Sequence, residues 1–284
     1  MQETERPGGR PRRKWPRRAA RYLLLVAMSF VVLLPIYVTV VNALLAPQDI
    51  AHRPPILFPS SPRWSNFATA FSDANLGIYL RNSAIQSVAI TLGAVATSLL
   101  AAYAFTFVRF PLRRVLFGGC LATLMIPAEV TIIPNYRTIS DFGWFNTFPA
   151  LIVPFVASGL GVFLFRQTFR ALPRELRDAA TLDGYGHLAF LARVVIPLSL
   201  PGIGAFAVFS FLGAWNQYLW PLLVTSSDSS RTVQIGLAQL AASDFSRVNL
   251  VFAGTVLAAL PIFVVLLVFQ RSLVRGLTVG AVKG

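Results

Sequence analysis

Three groups of residues in this chain carry side chains able to do chemistry. The first is Pro173-Arg174-Glu175-Leu176-Arg177-Asp178-Ala179-Ala180-Thr181-Leu182-Asp183-Gly184, followed by Arg193-Val194-Val195-Ile196-Pro197-Leu198-Ser199-Leu200-Pro201. It is a polar stretch between two long apolar runs, yet it reads as folded. Pro173 suits the first turn of a helix, and Glu175 and Asp178 suit the positive end of its dipole. Gly184 can stop that helix in a left-handed turn. A second helical stretch, from His187 to Val195, then runs into Pro197. Ala179 and Ala180 offer a small, close-approach surface. The charges of Glu175, Arg177, Asp178 and Asp183 around it can set a docking register. The chemistry on offer is recognition of another protein.

The second group is Gly213-Ala214-Trp215-Asn216-Gln217-Tyr218-Leu219-Trp220-Pro221-Leu222. Amides donate to and accept from hydroxyls, and aromatic faces cover apolar C–H patches, so Trp215, Asn216, Gln217 and Tyr218 suit a polyhydroxylated ligand. Trp and Tyr at the end of a membrane span are also ordinary interface anchors, and both readings stand. The third group is Glu129, in Ile126-Pro127-Ala128-Glu129-Val130-Thr131-Ile132-Ile133-Pro134-Asn135-Tyr136. Its two prolines free backbone carbonyls and kink a helix. Broken backbone is tolerated at membrane depth only against protein or a wet cavity, and a carboxylate there is costly without water or a partner. Glu129 therefore reads either as a polar element beside a translocation path or as a structural acceptor near an interface.

Catalytic chemistry is not supported. His52 and His187 both fall in loops, so a buried Ser–His pair is unavailable, and no two carboxylates share a predicted span. Neither lysine, Lys14 or Lys283, ends a Gly-rich phosphate loop, so any ATP chemistry belongs to another chain. The single cysteine, Cys120, sits in an apolar run as a small hydrophobe, and no Cys/His metal spacing exists. No cofactor is expected.

The elements that must position these groups follow from composition. Of 284 residues, 55% are hydrophobic and 13% charged, about half the usual charged share of roughly 25%. Such a chain cannot keep a soluble surface, and an integral membrane protein results. Six segments reach the length of about 20 residues that a span requires: 22–45, 83–108, 115–136, 148–165, 202–224 and 250–269. The first is too long for the apolar core of a cleaved signal peptide. Assigned to alternating sides, these spans leave 19 Lys and Arg residues with the two tails and the even-numbered connections, against 6 on the other side. The positive-inside rule then makes both termini and the loop after the fourth span cytoplasmic. Topology accounts for the net charge of +14, and no nucleic-acid partner is needed. The arginine-rich amino tail reads as an orientation signal or a contact with anionic membrane lipid. Small residues at four-residue spacing in the second span (Ala89, Gly93, Thr97, Ala101, and beside them Ala94, Ser98, Ala102) let helix backbones approach in lipid. The outer loop 46–81, with Pro54-Pro55, Pro59, Pro62 and Trp64, either contacts an external partner or caps the bundle.

Taken together, the segments carry a family resemblance. Asp178-Ala179-Ala180 with Asp183-Gly184 resembles the "EAA" coupling loop of ABC-importer permeases. Trp215-Asn216-Gln217-Tyr218-Leu219-Trp220-Pro221 resembles an element of the carbohydrate importers, and Met125-Ile126-Pro127 with Ile133-Pro134-Asn135-Tyr136 resembles their third span. The chain end, from Phe269 to Gly284, is similar to that of the maltose-type second permease subunit. Two departures stand out. Asp178 replaces the usual Glu, and Tyr185-Gly186 follow where a small residue is usual. The resemblance implies an all-α, six-span type I permease fold without a covalent catalytic step. It divides the chain into a basic cytoplasmic tail (1–21), a first helix with its outer loop (22–82), a permease domain (83–271, coupling loop 170–201) and a cytoplasmic tail (272–284). It also implies two ATPase subunits, a second six-span permease, an extracytoplasmic solute-binding protein and a carbohydrate substrate. The expected home is the cytoplasmic membrane of a prokaryote. Coupling would fall to Glu175, Asp178, Ala179, Ala180, Asp183 and Gly184, with Ile196, Pro197 and Pro201 setting the approach to the fifth span. Within the family, a permease for another solute such as glycerol phosphate is the alternative. An ion-coupled secondary transporter would show paired broken spans, and no such repeat is seen.

Overall fold

The computed structural model describes residues 15–72, 75–243 and 247–278. The basic residues of the amino tail through Lys14, and positions 279–284 of the chain end, lie outside the described residues. The rest is helical, with no strand among the described residues. In chain order the helices are α1 (Trp15–Leu44), α2 (Pro47–Ile50), α3 (Ser65–Ser72), α4 (Leu76–Phe107), α5 (Arg113–Ala122), α6 (Ala128–Asp141) and α7 (Phe148–Ile152). There follow α8 (Gly159–Arg170), α9 (Glu175–Leu182), α10 (His187–Phe190), α11 (Ile196–Trp215), α12 (Leu219–Val224), α13 (Val233–Ser243) and α14 (Val248–Thr278). Four continuous stretches are long and apolar enough to cross a membrane: Arg21–Leu44, Leu76–Phe107, His187–Trp215 and Val248–Arg271. Two bent pairs complete the six crossings. Arg113–Met125 with Ala128–Asp141 bends by 102°, and Phe148–Phe155 with Gly159–Arg170 bends by 44°.

The six expected spans are present, but four differ in extent; the second begins seven residues earlier, at Leu76. In the third, the break lies at Ile126-Pro127, where Ile126 is extended as a residue before proline prefers. Pro134 is carried inside α6. The fourth breaks between Phe155 and Gly159 and continues to Arg170. The fifth is displaced toward the amino terminus. His187 to Trp215 is one continuous run, and Pro197, expected to end a helix, lies inside it. A π-helical turn, Leu191–Val195, precedes that proline, and the Ile196 N–H reaches back five residues to the Leu191 carbonyl. The wider turn makes room for a ring that would otherwise crowd the carbonyl four residues back.

α4 is the centre of the bundle, packed on α8 and α11, while α11 packs on α14 and α14 on α1. From Tyr22 to Leu34 the α1 side chains lie on the surface, as suits a helix in lipid. The main core joins Tyr103, Phe165, Phe169, Phe190, Val195 and Phe206, with Phe165 and Phe206 edge to face at 5.2 Å. Of the two small-residue rows on α4, Ala94, Ser98 and Ala102 form the buried one, whereas Thr97 is exposed. Gly161 of α8 lies against that row. A methyl group on it would overlap Ser98 Oγ and the Phe206 ring.

Overpacking of this kind costs about 1–3 kcal/mol. Gly161→Leu should therefore lower the thermal midpoint of the detergent-purified protein by several degrees. Gly118→Leu should not, because an added Cβ there meets nothing within 4 Å. Equal behaviour of the two variants in a thermal scan would contradict this packing of α8 on α4.

Candidate functional site

The first candidate is built around α9. Its first turn holds Glu175 and Asp178, and its end is a Schellman turn. Tyr185 N–H donates to the Ala180 carbonyl at 2.8 Å and Gly184 N–H to the Thr181 carbonyl at 3.1 Å. Gly184 has φ +77°, the left-handed turn expected of it. α9 is two-faced. Ala180 is buried in the main core, with Leu176 half-buried on the same side. Glu175, Asp178, Ala179 and Leu182 lie on the exposed side, at the i, i+3, i+4 and i+7 positions of one helix face. The pair Ala179-Ala180 is thus split, and this corrects the expected Ala-Ala surface: Ala180 holds the helix on and Ala179 faces out. Asp183 is exposed at the C-cap.

Two outward leucines were not singled out from the sequence: Leu182, 90% exposed, and Leu188, 77% exposed. Leu182 was readable, since it falls four residues after Asp178 on the charged face. Arg177 fixes α9 to the end of α4, donating from Nη1 to the Phe107 carbonyl at 2.8 Å, with its guanidinium over the Phe107 ring. His187, exposed, opens α10 where the second helical stretch was expected to begin and pairs its Nδ1 with Tyr103 Oη at 2.9 Å. Tyr185 turns inward against the core, with Arg193 over its ring. Ile196 and Pro197 lie in the first turn of α11, directly after the π turn.

The second candidate is the break between α11 and α12. Asn216 donates from Nδ2 to the Leu212 carbonyl at 2.9 Å, competing with the helix backbone where it ends. A continuous helix would also set Pro221 against the Gln217 carbonyl. Gln86 of α4, buried, donates from Nε2 to Gln217 Oε1 at 2.7 Å. Gln234 of α13 reaches the Trp215 carbonyl and Asn216 Oδ1, both at 3.4 Å. Four amides therefore meet at one place, ten residues or about 15 Å along α4 from its amino end. Gln86 and Gln234 escaped the sequence reading, although Asn82 and Gln86 four apart in an apolar helix are a signal.

The other residues expected with this group are placed differently. Trp215 is 1% exposed, stacks on Phe211 and donates from Nε1 to the Ala258 carbonyl at 3.2 Å. It is part of the core rather than of the polar surface. Trp220 likewise donates to the Ala150 carbonyl at 3.0 Å. Tyr218 is exposed at the break. Glu129 lies in the first turn of α6, on its exposed side, just past the 102° bend and apart from the amides.

Six apolar crossings, two of them broken, with polar amides at an interior helix break and an ordered cap at one end, describe a subunit that moves solute across a membrane. Residues 89–279 match the family model "Binding-protein-dependent transport system inner membrane component", and the chain belongs to that family. It is thus a multi-pass inner-membrane transport permease. It is 36% identical to the sn-glycerol-3-phosphate transport system permease protein UgpE of Yersinia enterocolitica over 90% of this chain and 94% of that one. The UgpE proteins of Pectobacterium atrosepticum, at 37%, and Rhizobium meliloti, at 36%, match over the same shares. In fold it resembles a chain of a bacterial ABC transporter involved in the import of the acidic polysaccharide alginate. That match has TM-score 0.79 at 20% identity and covers 93% of this chain and 99% of that one.

Valine at positive φ costs at least about 1–2 kcal/mol, enough to loosen the α9 stop. Gly184→Val should let trypsin cut after Arg177 about five- to thirtyfold faster. Gly186→Val, at φ −71°, should not. Unchanged protection in both, read by limited proteolysis, would remove Gly184 from this role.

Proposed function

We propose that this chain is one permease of an ATP-driven importer in which α9 docks on a separate ATPase subunit and the amides at the α11–α12 break meet the solute. One observation carries the reading: α9 is anchored on one face by Ala180 and Arg177 and, among the described residues, leaves Glu175, Asp178, Ala179 and Leu182 exposed on the other. An apolar side chain as exposed as Leu182, ringed by charge, is complementary to a partner groove. Closure of a pair of ATPases would move α9. Through Arg177, the π turn and α11, that motion would rock the crossings between outward- and inward-facing states. A second six-span permease would complete the cavity, and a solute-binding protein would deliver the ligand from outside. Both termini would then be cytoplasmic, in keeping with the basic residues near the ends of the even-numbered connections.

For the solute, the cluster of Gln86, Asn216, Gln217 and Gln234 favours a carbohydrate. Uncharged amides exchange hydrogen bonds with hydroxyls and supply no counter-charge. A phosphorylated polyol is the second reading, favoured by the relatives that transport glycerol 3-phosphate. It would need a cation, and Arg81, exposed on α4 five residues before Gln86 and donating to Asn82 Oδ1 at 3.4 Å, is the nearest one along that helix.

Leu182→Asp should cut ATP-dependent uptake more than tenfold with normal membrane levels. In a Cys120→Ala background, Leu182→Cys should cross-link to the ATPase. Uptake that persists in the first variant, with no cross-link in the second, would defeat the docking assignment. Asn216→Leu and Gln217→Leu should impair uptake without loss of assembly; lost assembly would mean a structural role. Arg81→Gln separates the solutes. It should spare uptake of a neutral sugar and lower that of glycerol 3-phosphate.

A further inference from the structure

Topology explains why arginines lie on one side of this protein. It does not explain why five of them, from two separated stretches, line one recess. Arg109 follows α4, Arg113 begins α5, Arg170 ends α8, and Arg174 and Arg177 begin α9. Together they border a cavity of about 1080 Å³ in which Asp178 is the lining carboxylate. Like charges do not gather without a compensating partner, and part of that partner is visible. α4 ends here, and its last carbonyls carry the negative end of the helix dipole. Arg113 donates to the Thr106 and Val108 carbonyls at 3.1 and 3.2 Å, and Arg177 to Phe107 at 2.8 Å. Outside the recess, Arg166 does the same to Phe105 at 3.3 Å. These contacts spend Arg113 and Arg177 on the helix end. Arg109, Arg170 and Arg174 are left: they are exposed toward the recess and make no hydrogen bond or ion pair among the described residues.

We propose that this recess is a binding site for a phosphate-bearing anion. A guanidinium presents a planar fork that takes two phosphate oxygens at once. Three such forks converge here, in a recess at the upper end of small-ligand pocket sizes, about 300–1,000 Å³. Basic pockets at the cytoplasmic ends of membrane helices suit the head groups of anionic lipids, and free phosphate offers the same oxygens. The occupant would join Arg174 of α9 to Arg109 and Arg170 at the ends of α4 and α8. It would thereby brace the docking segment against the bundle.

The test is arginine footprinting of the full-length wild-type chain with phenylglyoxal, read by peptide mass spectrometry in nanodiscs at matched ionic strength. One arm compares phosphatidylcholine with phosphatidylcholine containing phosphatidylglycerol. The other adds inorganic phosphate to phosphatidylcholine discs. Labelling of Arg109, Arg170 and Arg174 should slow about tenfold, the factor that corresponds to 1.4 kcal/mol of protection. Arg114 and Arg193, exposed on the same side but outside the recess, should label unchanged. Protection by phosphatidylglycerol alone identifies a lipid head group, and protection by phosphate alone a free ion; both arms together mean that the site accepts either. No protection in either arm, or equal protection of Arg114 and Arg193, overturns the site.

Discussion

Backbone that leaves a helix inside a membrane must find its hydrogen bonds in the protein, because hydrocarbon offers none. This constraint explains the polar residues of α4. Where the fourth crossing breaks, Thr97 Oγ1 donates to the Val156 carbonyl at 2.6 Å and Ser98 Oγ to the Ser158 carbonyl at 3.3 Å. Where the chain after α12 turns back, Asn82 Nδ2 donates to the Ser229 and Arg231 carbonyls at 2.8 and 2.9 Å. Ser83 Oγ accepts from Val233 N–H at 2.9 Å. At the α11 break, Gln86 instead holds a side chain, Gln217 Oε1. Five polar side chains on one helix thus secure three irregular segments, and α4 is both the packing centre and the main donor of the bundle.

A helix in that position also connects the two candidate sites. Gln86 touches the amide cluster, and the Phe107 carbonyl, 21 residues on, receives Arg177 from α9. At 1.5 Å per residue the two are about 31 Å apart along a single rod. Tyr103, bonded to His187, adds a second tie near the same end. A rigid element held at both sites can carry a displacement of α9 to the interior as a rigid-body tilt, since close-packed helices shift between discrete arrangements more readily than they deform.

What could be read from the sequence follows from how local each feature is. Pro173, Glu175, Asp178 and Gly184 encode their helix within a dozen residues, and α9 with its left-handed stop lies where they put it. Six apolar runs were long enough to count. Span ends were less legible, because apolar content continues across a break. Between Gly202 and Val224, only the amide pair Asn216-Gln217 and Pro221 say that the helix stops near Trp215. Those same amides were read as ligand contacts, and they also terminate the helix. Trp215 looked like a surface ring because Trp often anchors an interface, but its face depended on α14, which supplies the Ala258 carbonyl 43 residues away. The burial of Ala180 and the exposure of Ala179 depended equally on Tyr103 and Phe190 of other elements.

The arginines show how a rule can be satisfied and still leave structure unexplained. Orientation needs a count of positive charges near the ends of the spans, and any arrangement of them serves. Here the arrangement is particular. Three guanidiniums, Arg113, Arg166 and Arg177, are tied to four successive carbonyls from Phe105 to Val108 at the end of a single helix. Mutual repulsion would favour spreading them, and the helix dipole is worth only about 0.3–1 kcal/mol per exposed cation. Beyond the dipole and Asp178, a further negative charge would balance such a cluster more fully, and a group with several oxygens suits the unpaired guanidiniums of Arg109, Arg170 and Arg174.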